Sequence, residues 1–227
     1  MPKVSIVIVA AGIGKRMGQR DKLFLEVAGL PLVGHTWRRF DRFIDASELV
    51  VVARKESHLL FNQLAKKIEL TKPWCLVDGG AERQDSVWNG VNATDPSADI
   101  VAIQDGARPC SPLDVVSQAI LSADESGAAV LAKRVTDSLK RGDEQSQILE
   151  TVIRDNLWSV QTPQVFRRDV ILNALTKVRD QALIVTDDTA ACEVIDQPVK
   201  LIECNQPNPK ATTPDDLPFI ESLLQRC

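Results

Sequence analysis

The chain opens on a β-branched run, Val4-Ser-Ile-Val-Ile-Val-Ala10, the pattern of a strand buried on both faces. Similar short apolar runs recur at residues 49–53, 74–77, 100–103, 128–132 and 199–202. Between them, residues 32–43, 57–70, 84–93 and 113–125 carry apolar side chains at helical period. Strands alternating with helices predict a doubly wound α/β fold with a mostly parallel, Rossmann-like sheet. In such folds ligands bind in the crevice beyond the carboxyl ends of the strands, so the residues just after each strand are the ones to read for chemistry. The alternation breaks at about 134–156. There residues 135–141, a polar turn over 142–147 and residues 148–154 read as a β-hairpin with an over-long tip, predicted to protrude as an arm. An arm of that kind suits the embrace of a second subunit.

At 227 residues the chain suits a single domain, 1–227, with the arm as its excursion. A chain this long buries roughly 70% of its unfolded surface and can hold a core without disulfides or metal. With 44% hydrophobic and 26% charged residues, and no run of apolar residues of spanning length, it is predicted to be neither disordered nor membrane-embedded. The net charge of −4 argues against a general nucleic-acid binder but not against small anions, which a local cluster of Lys and Arg can hold. The five cysteines are odd in number, scattered and without a C-x-x-C pair, and there are only two histidines. A Cys/His metal site is therefore disfavoured, and reduced thiols in a cytoplasmic protein are expected. The chain has no tyrosine, which excludes a dehydrogenase built on a Tyr/Lys pair. H-E-x-x-H and G-x-S-x-G are missing too, which removes the common zinc-protease and serine-hydrolase patterns.

Five segments carry candidate chemistry. Ala10-Ala11-Gly12-Ile13-Gly14-Lys15-Arg16-Met17-Gly18 follows the first strand at once. Its glycines permit a tight turn with consecutive N–H groups aimed at one anion, and Lys15, Arg16 and Lys22 add cations, a combination suited to a triphosphate. A P-loop fails because Gln19-Arg20 follows Gly18. A dinucleotide fingerprint has its third glycine displaced by one, and Arg54-Lys55 leaves only an NADP variant open. An ordinary glycine turn with solvated cations also stays open. In Asp78-Gly-Gly80-Ala81-Glu-Arg83-Gln-Asp85-Ser86 the glycine pair would let a flat base lie on the backbone with Ser86 reading its edge; a turn plus helix cap is the alternative. In Gln104-Asp105-Gly-Ala-Arg108, Asp105 suits Mg2+ against phosphate oxygens and Arg108 a second phosphate, or the two form a local ion pair. Thr186-Asp-Asp188 reads as an N-cap. Thr213, Pro214 and Asp216 read as the N-cap, first and third positions of a last helix, an account that leaves Lys210 unexplained.

These segments, in this order, resemble the 2-C-methyl-D-erythritol 4-phosphate cytidylyltransferase family over nearly the whole chain. The matching blocks are A-A-G-x-G-x-R-M, L-P-L-V-x-H-T, D-G-G-x-E-R-x-D-S-V, D-x-A-R-P, T-P-Q-x-F at residues 162–166, T-D-D at 186–188 and N-x-K-x-T-x-P-x-D-L. The resemblance implies in-line attack of a methylerythritol phosphate oxygen on the α-phosphate of CTP, with Mg2+ as the metal. It implies that Arg16 and Lys22 neutralise the α-phosphate, that the backbone of Ala10, Ala11, Gly12, Ile13, Gly14 and Lys15 cradles the triphosphate, and that Gly80, Ala81 and Ser86 read cytosine and ribose. Asp105 would hold the metal and substrate, Arg108 and Thr186 would contact methylerythritol phosphate, and Lys210 would orient the attacking group. The hairpin resembles a dimerisation arm that carries Ser138 and Arg154 into a partner's active site, so a homodimer is expected.

Three departures stand out: Asp21-Lys22-Leu23 where the family usually has Pro-Lys-Gln, Gln104-Asp105-Gly106 where His-Asp-Ala is common, and Ser138 in place of threonine. Like-charge repulsion between Asp21 and a triphosphate at ~4 Å would be about 4 kcal/mol at an effective dielectric near 20. Asp21 is therefore expected to point away from the phosphates or to share the metal. A cytidylyltransferase for another polyol phosphate, such as ribitol 5-phosphate, is the nearest rival reading. An NADP-dependent oxidoreductase and a non-catalytic nucleotide-binding protein are rivals of other classes.

Overall fold

The computed structural model describes residues 2–12 and 22–226. Ile13, Gly14, Lys15, Arg16 and Asp21, to which the sequence assigns roles in the first loop, lie outside the described residues. Along the chain come β1 (Val4–Val9), the two-residue strands β2 (Glu26–Val27) and β3 (Leu30–Pro31), α1 (Leu32–Asp41) and β4 (Ala46–Ala53). Next are α2 (His58–Ile68), β5 (Trp74–Asp78), α3 (Arg83–Asn92), β6 (Ile100–Asp105), α4 (Leu113–Ser126) and β7 (Ala128–Arg134). The arm strands are β8 (Leu139–Gly142) and β9 (Ile148–Val152), followed by β10 (Trp158–Arg167), α5 (Arg168–Asp180), α6 (Asp188–Glu193), β11 (Lys200–Glu203) and α7 (Leu217–Leu224).

Among the described residues the main sheet has seven strands in the order β11-β7-β10-β6-β1-β4-β5. All pairings are parallel except those of β10, which runs antiparallel to both β6 and β7. The strand-like alternation of β1 explains its central place. Ile6 and Ile8 pack into one apolar layer with Trp37, Phe40 and Phe61, while Val7 packs into the other with Val87, Val91 and Phe166. The chain leaves β1 toward β4 on one side and returns to β6 on the other, so the order reverses between β1 and β6. That switch point is where a crevice opens beyond the strand ends.

Besides the two-residue strands β2 and β3, two longer elements were not named from the hydrophobic pattern. The strand β10 was read only as the motif T-P-Q-x-F, because Gln161, Thr162, Pro163 and Gln164 break an apolar run and proline is excluded from regular central strands. The structure resolves the conflict with a bulge. Opposite β7, Val160 pairs with Ala132 and Gln164 with Val130, so residues 161–163 face a single residue of β7 and Pro163 is spared a ladder hydrogen bond. The helix α5 does show its period, burying Ile171, Ala174, Leu175 and Val178, but it begins directly at the end of that unrecognised strand. The hairpin arm was expected and is present as its own two-stranded sheet, shorter than its predicted span, with the backbone N–H of Val135 donating to the Leu157 carbonyl (3.1 Å) at its root.

Helix α3 lies close on the sheet because residue 90 is glycine. A Cβ there would meet Val7 Cγ1 at 2.5 Å and Val52 Cγ2 at 2.7 Å. Gly90→Ala is expected to lower stability by about 1–3 kcal/mol through overpacking, despite the better helix propensity of alanine. Urea unfolding with an unchanged slope and a lower midpoint would bear this out; a raised midpoint would show that the sheet yields freely.

Candidate active site

Asp105 is the last residue of β6, at the switch point, and only 8% exposed. Lys210 Nζ lies 2.7 Å from its Oδ2, Arg108 Nε 3.8 Å from the same oxygen and Arg83 Nη2 3.9 Å from Oδ1. Burial works to raise the carboxyl pKa, but the charges of Lys210, Arg83 and Arg108 outweigh it and hold the group below the usual carboxylate range. The Asp105 N–H donates to Thr162 Oγ1 (3.1 Å), which ties the strand end to the bulge of β10. Gln104, wholly buried, donates through Nε2 to the Asp105 and Arg108 carbonyls and to Ser111 Oγ at 3.0–3.1 Å, fixing the whole loop from β6 to α4.

Each cation around Asp105 comes from a different segment, and each segment is locked separately. Arg83 begins α3 and forms a two-pronged pair with Asp188, both contacts 2.8 Å. Burial disfavours its charge, yet Asp188, with Asp105 and Asp187 behind it, raises the guanidinium pKa further above its usual value, so Arg83 is a fixed cation. Asp188 is in turn placed by Gln164. The side-chain oxygen of Gln164 accepts from the N–H groups of Asp188 (3.0 Å) and Thr189 (3.1 Å), and its Nε2 donates to Asp187 (2.9 Å). Asp187 is the N-cap of α6, accepting from the Ala190 N–H.

Lys210 is positioned by what flanks it. On one side, Asn208 receives Arg108 Nη1 at its carbonyl (2.6 Å) and donates to the Thr162 carbonyl (2.9 Å). On the other, the Ala211 N–H donates to the Ala107 carbonyl (3.0 Å), and Lys22 Nζ donates to the Ala211 carbonyl (3.0 Å). The predicted capping box is present, and the N–H groups of Thr213 and Thr212 lower the Asp216 carboxyl to about 2. The lysine that capping left unexplained is the one that meets Asp105.

These segments wall a cleft of about 490 Å³. Of the residues named from sequence, Ala10, Ala11, Gly12, Lys22, Gly80, Ala81, Ser86, Asp105 and Lys210 line it. The Ser86 hydroxyl accepts from the Gly80 N–H (3.0 Å) and donates to the Glu82 carbonyl (3.2 Å), so it braces the loop that forms the cleft wall. A Cβ at Gly80 would collide with Asp85, so glycine lets the loop fold tightly onto the start of α3. Arg108 stands behind Asp105 and does not line the cleft; Thr186 is exposed on the bend before α6. Ser138 and Arg154 are exposed near the arm, where Arg154 donates to the Thr136 carbonyl, and neither lines this cleft. Sequence reasoning gave no role to Arg83 or Gln164, named Arg54, which lines the cleft, only toward an NADP reading, and took Asp188 only as part of an N-cap. Arg83 and Gln164 lay inside quoted motifs, yet nothing in their spacing told which element they would reach.

Comparison with known proteins places this geometry. The family model of 2-C-methyl-D-erythritol 4-phosphate cytidylyltransferases (IspD) matches residues 4–226. The chain belongs to this family. It is 39% identical over 225 residues to the 2-C-methyl-D-erythritol 4-phosphate cytidylyltransferase of Alkaliphilus oremlandii, covering 98% of this chain and 95% of that protein. It is also 39% identical over 227 residues to the namesake of Pelotomaculum thermopropionicum, covering 99% and 95%. The crystal structure of 4-diphosphocytidyl-2C-methyl-D-erythritol synthase from Anaerococcus prevotii superposes with a TM-score of 0.86 at 28% identity, covering 99% of this chain and 97% of that one. Among the described residues no helix is long and apolar enough to cross a membrane.

Because Asp105 titrates lower in the folded state, its contribution to stability is full above its unfolded value, near pH 4, and drains as pH falls through its folded value. Asp105→Asn is expected to cost about 3 kcal/mol at neutral pH, since Lys210 and Arg108 lose their carboxylate and Arg83 is left with Asp188 alone. Its deficit against the wild type should shrink as pH drops below about 4. Urea melts from pH 7 to pH 3 read this directly, and a deficit that stays constant with pH would sink the electrostatic account.

Proposed function

We propose that this chain transfers the cytidylyl group of CTP to 2-C-methyl-D-erythritol 4-phosphate, releasing pyrophosphate, as a step of isoprenoid precursor synthesis. The observation that carries the reading is the convergence, at the switch point, of the Ala10–Gly12 backbone, Lys22, Lys210 and a caged Asp105 in one cleft. A phosphate oxygen of the acceptor attacks the α-phosphorus, and the bond from that phosphorus to the bridging oxygen of the β-phosphate breaks. Pyrophosphate carries away the electron pair. No covalent intermediate with the protein is needed, so catalysis is positioning plus neutralisation of charge.

Arg16 and Lys22 neutralise the α-phosphate, and the loop from Ala10 to Lys15 cradles the triphosphate. Gly80, Ala81 and Ser86 form the wall against which the base and ribose lie. Lys210, oriented by Asp105, holds the attacking phosphate, with Arg108 and Thr186 shaping the acceptor end. For Mg2+ the donor set fits: Asp105 lines the cleft, its Oδ1 makes no hydrogen bond among the described residues, and one carboxylate with phosphate oxygens and water suffices for that ion. Mg2+ held there would offset charge on the triphosphate. No group of three or more acidic, His or Cys ligands offers another centre among the described residues.

The working unit is a homodimer in the cytoplasm, each chain one nucleotidyltransferase unit over 1–227 with its arm at about 134–156. The arm exposes Ile148, Leu149 and Ile153 at 62–76%, apolar surface that a partner would cover. Ser138 and Arg154 lie beside that surface and complete the partner's cleft.

Pyrophosphate release from CTP and Mg2+ is expected with methylerythritol phosphate and not with ribitol 5-phosphate; release only with the latter overturns the substrate. Lys22→Ala should lower kcat at least a hundredfold, on the order of one lost charge-stabilising donor, with a much smaller change in CTP affinity. A loss confined to KM contradicts that role. Subunits carrying Arg154→Ala and Lys22→Ala, each inactive alone, should regain partial activity as mixed dimers. No recovery after demonstrated subunit exchange would refute the shared site.

A further inference from the structure

A second groove, of about 440 Å³, opens between α1, the start of α4 and the end of α7, and shares no lining residue with the active-site cleft. Its polar wall is cationic. Arg38, Arg39 and Arg42 line it, and no aspartate or glutamate does. Arg39 is partly committed, donating through Nε to the Ser111 carbonyl (2.5 Å). Arg38 and Arg42 make no ion pair or side-chain hydrogen bond among the described residues, although the chain as a whole carries a net charge of −4. Arginines in the last turn of a helix favour its dipole, which accounts for a cation or two at the end of α1. It does not account for three guanidinium groups around one cavity that excludes acids.

The opposite wall is different in kind. Pro109, Leu113 and Leu224 supply apolar surface. Helix α4 starts here, and its N-cap, Pro112, offers no side-chain acceptor to the first-turn N–H groups. The one carboxylate of that turn, Asp114, does not line the groove and accepts from Gln206 Nε2 (2.7 Å). Uncommitted guanidinium forks and an apolar flank in one cavity together define a ligand with phosphate at one end and hydrocarbon at the other. The groove volume falls within the usual range for small-molecule sites.

We propose that this groove binds an organic diphosphate, with phosphate oxygens on Arg38 and Arg42 and the carbon chain against Pro109, Leu113 and Leu224. Arginine suits the role because its planar fork meets two phosphate oxygens at once. The site stands apart from the cleft of the transfer reaction.

Titration calorimetry with pentyl diphosphate and with inorganic pyrophosphate, on protein whose active site is saturated with CTP, measures the groove alone. Pentyl diphosphate should bind at one site per chain, and pyrophosphate should bind the same site more weakly. The double variant Arg38→Gln/Arg42→Gln should weaken pentyl diphosphate at least tenfold, while pyrophosphate release from CTP and acceptor stays at the wild-type rate. Arg42→Glu, at an exposed position that tolerates charge without unfolding, should weaken it as much. Equal binding to the wild type and both variants, or no binding to the wild type, overturns the proposal. Equal affinity for the two probes overturns the apolar half of it.

Discussion

A single carboxylate at the end of β6 sets the terms for everything around the cleft. Left alone, Asp105 would be forced toward its neutral form by burial. It stays ionised because Lys210, Arg83 and Arg108 arrive from three separate stretches of chain. The converse holds equally: three cations within 4 Å of one another's partner would repel without it. The cluster is stable only when all three segments are in place, so the late-chain lysine, the helix α3 and the loop after β6 are mutually conditional. The site thus joins residues more than a hundred positions apart, Asp105 and Lys210, through direct ionic contact.

The second layer of support shows how polar groups are tolerated in the middle of a sheet. Thr162 and Gln164 are buried on β10, a place where the strand pattern alone would call for Val or Ile. Both hydrogen-bond at full strength, Thr162 to the Asp105 N–H and Gln164 to both sides of the α6 N-terminus. A buried polar group without partners costs far more than such a bond returns. Their presence is therefore a commitment: β10 can occupy the centre of the sheet only if the loop after β6 and the start of α6 come to meet it.

The same commitment explains what was legible in the sequence. Elements whose stability comes from apolar period were readable, and β1, β4, β5, β6, β7 and the helices between them fall within a few residues of the predicted spans. The strand β10 was not, because its place is set by partners elsewhere in the chain and its composition contradicts its burial. At the site, Asp105 and Lys210 were named separately from the ends of their segments and from resemblance. That they touch was not legible, since contact depends on which strands neighbour β6. Arg83 was passed over inside a quoted motif because its partner, Asp188, lies 105 positions away.

The loop from β6 to α4 is a wall common to both cavities. Asp105, Gly106 and Ala107 face the cleft, while Pro109 and Leu113 face the arginine-lined groove. Helix α1 braces it from below, with Thr36 Oγ1 donating to the Gly106 carbonyl (2.8 Å) and Arg39 to the Ser111 carbonyl. A ligand in one cavity changes affinity in the other only if the wall has two states to which that ligand binds unequally. Gln104 opposes a second state by tying the loop at Asp105, Arg108 and Ser111 from a wholly buried position. Coupling between the two cavities would therefore need a ligand whose preference for a second arrangement of the wall outweighs the loss of those three bonds.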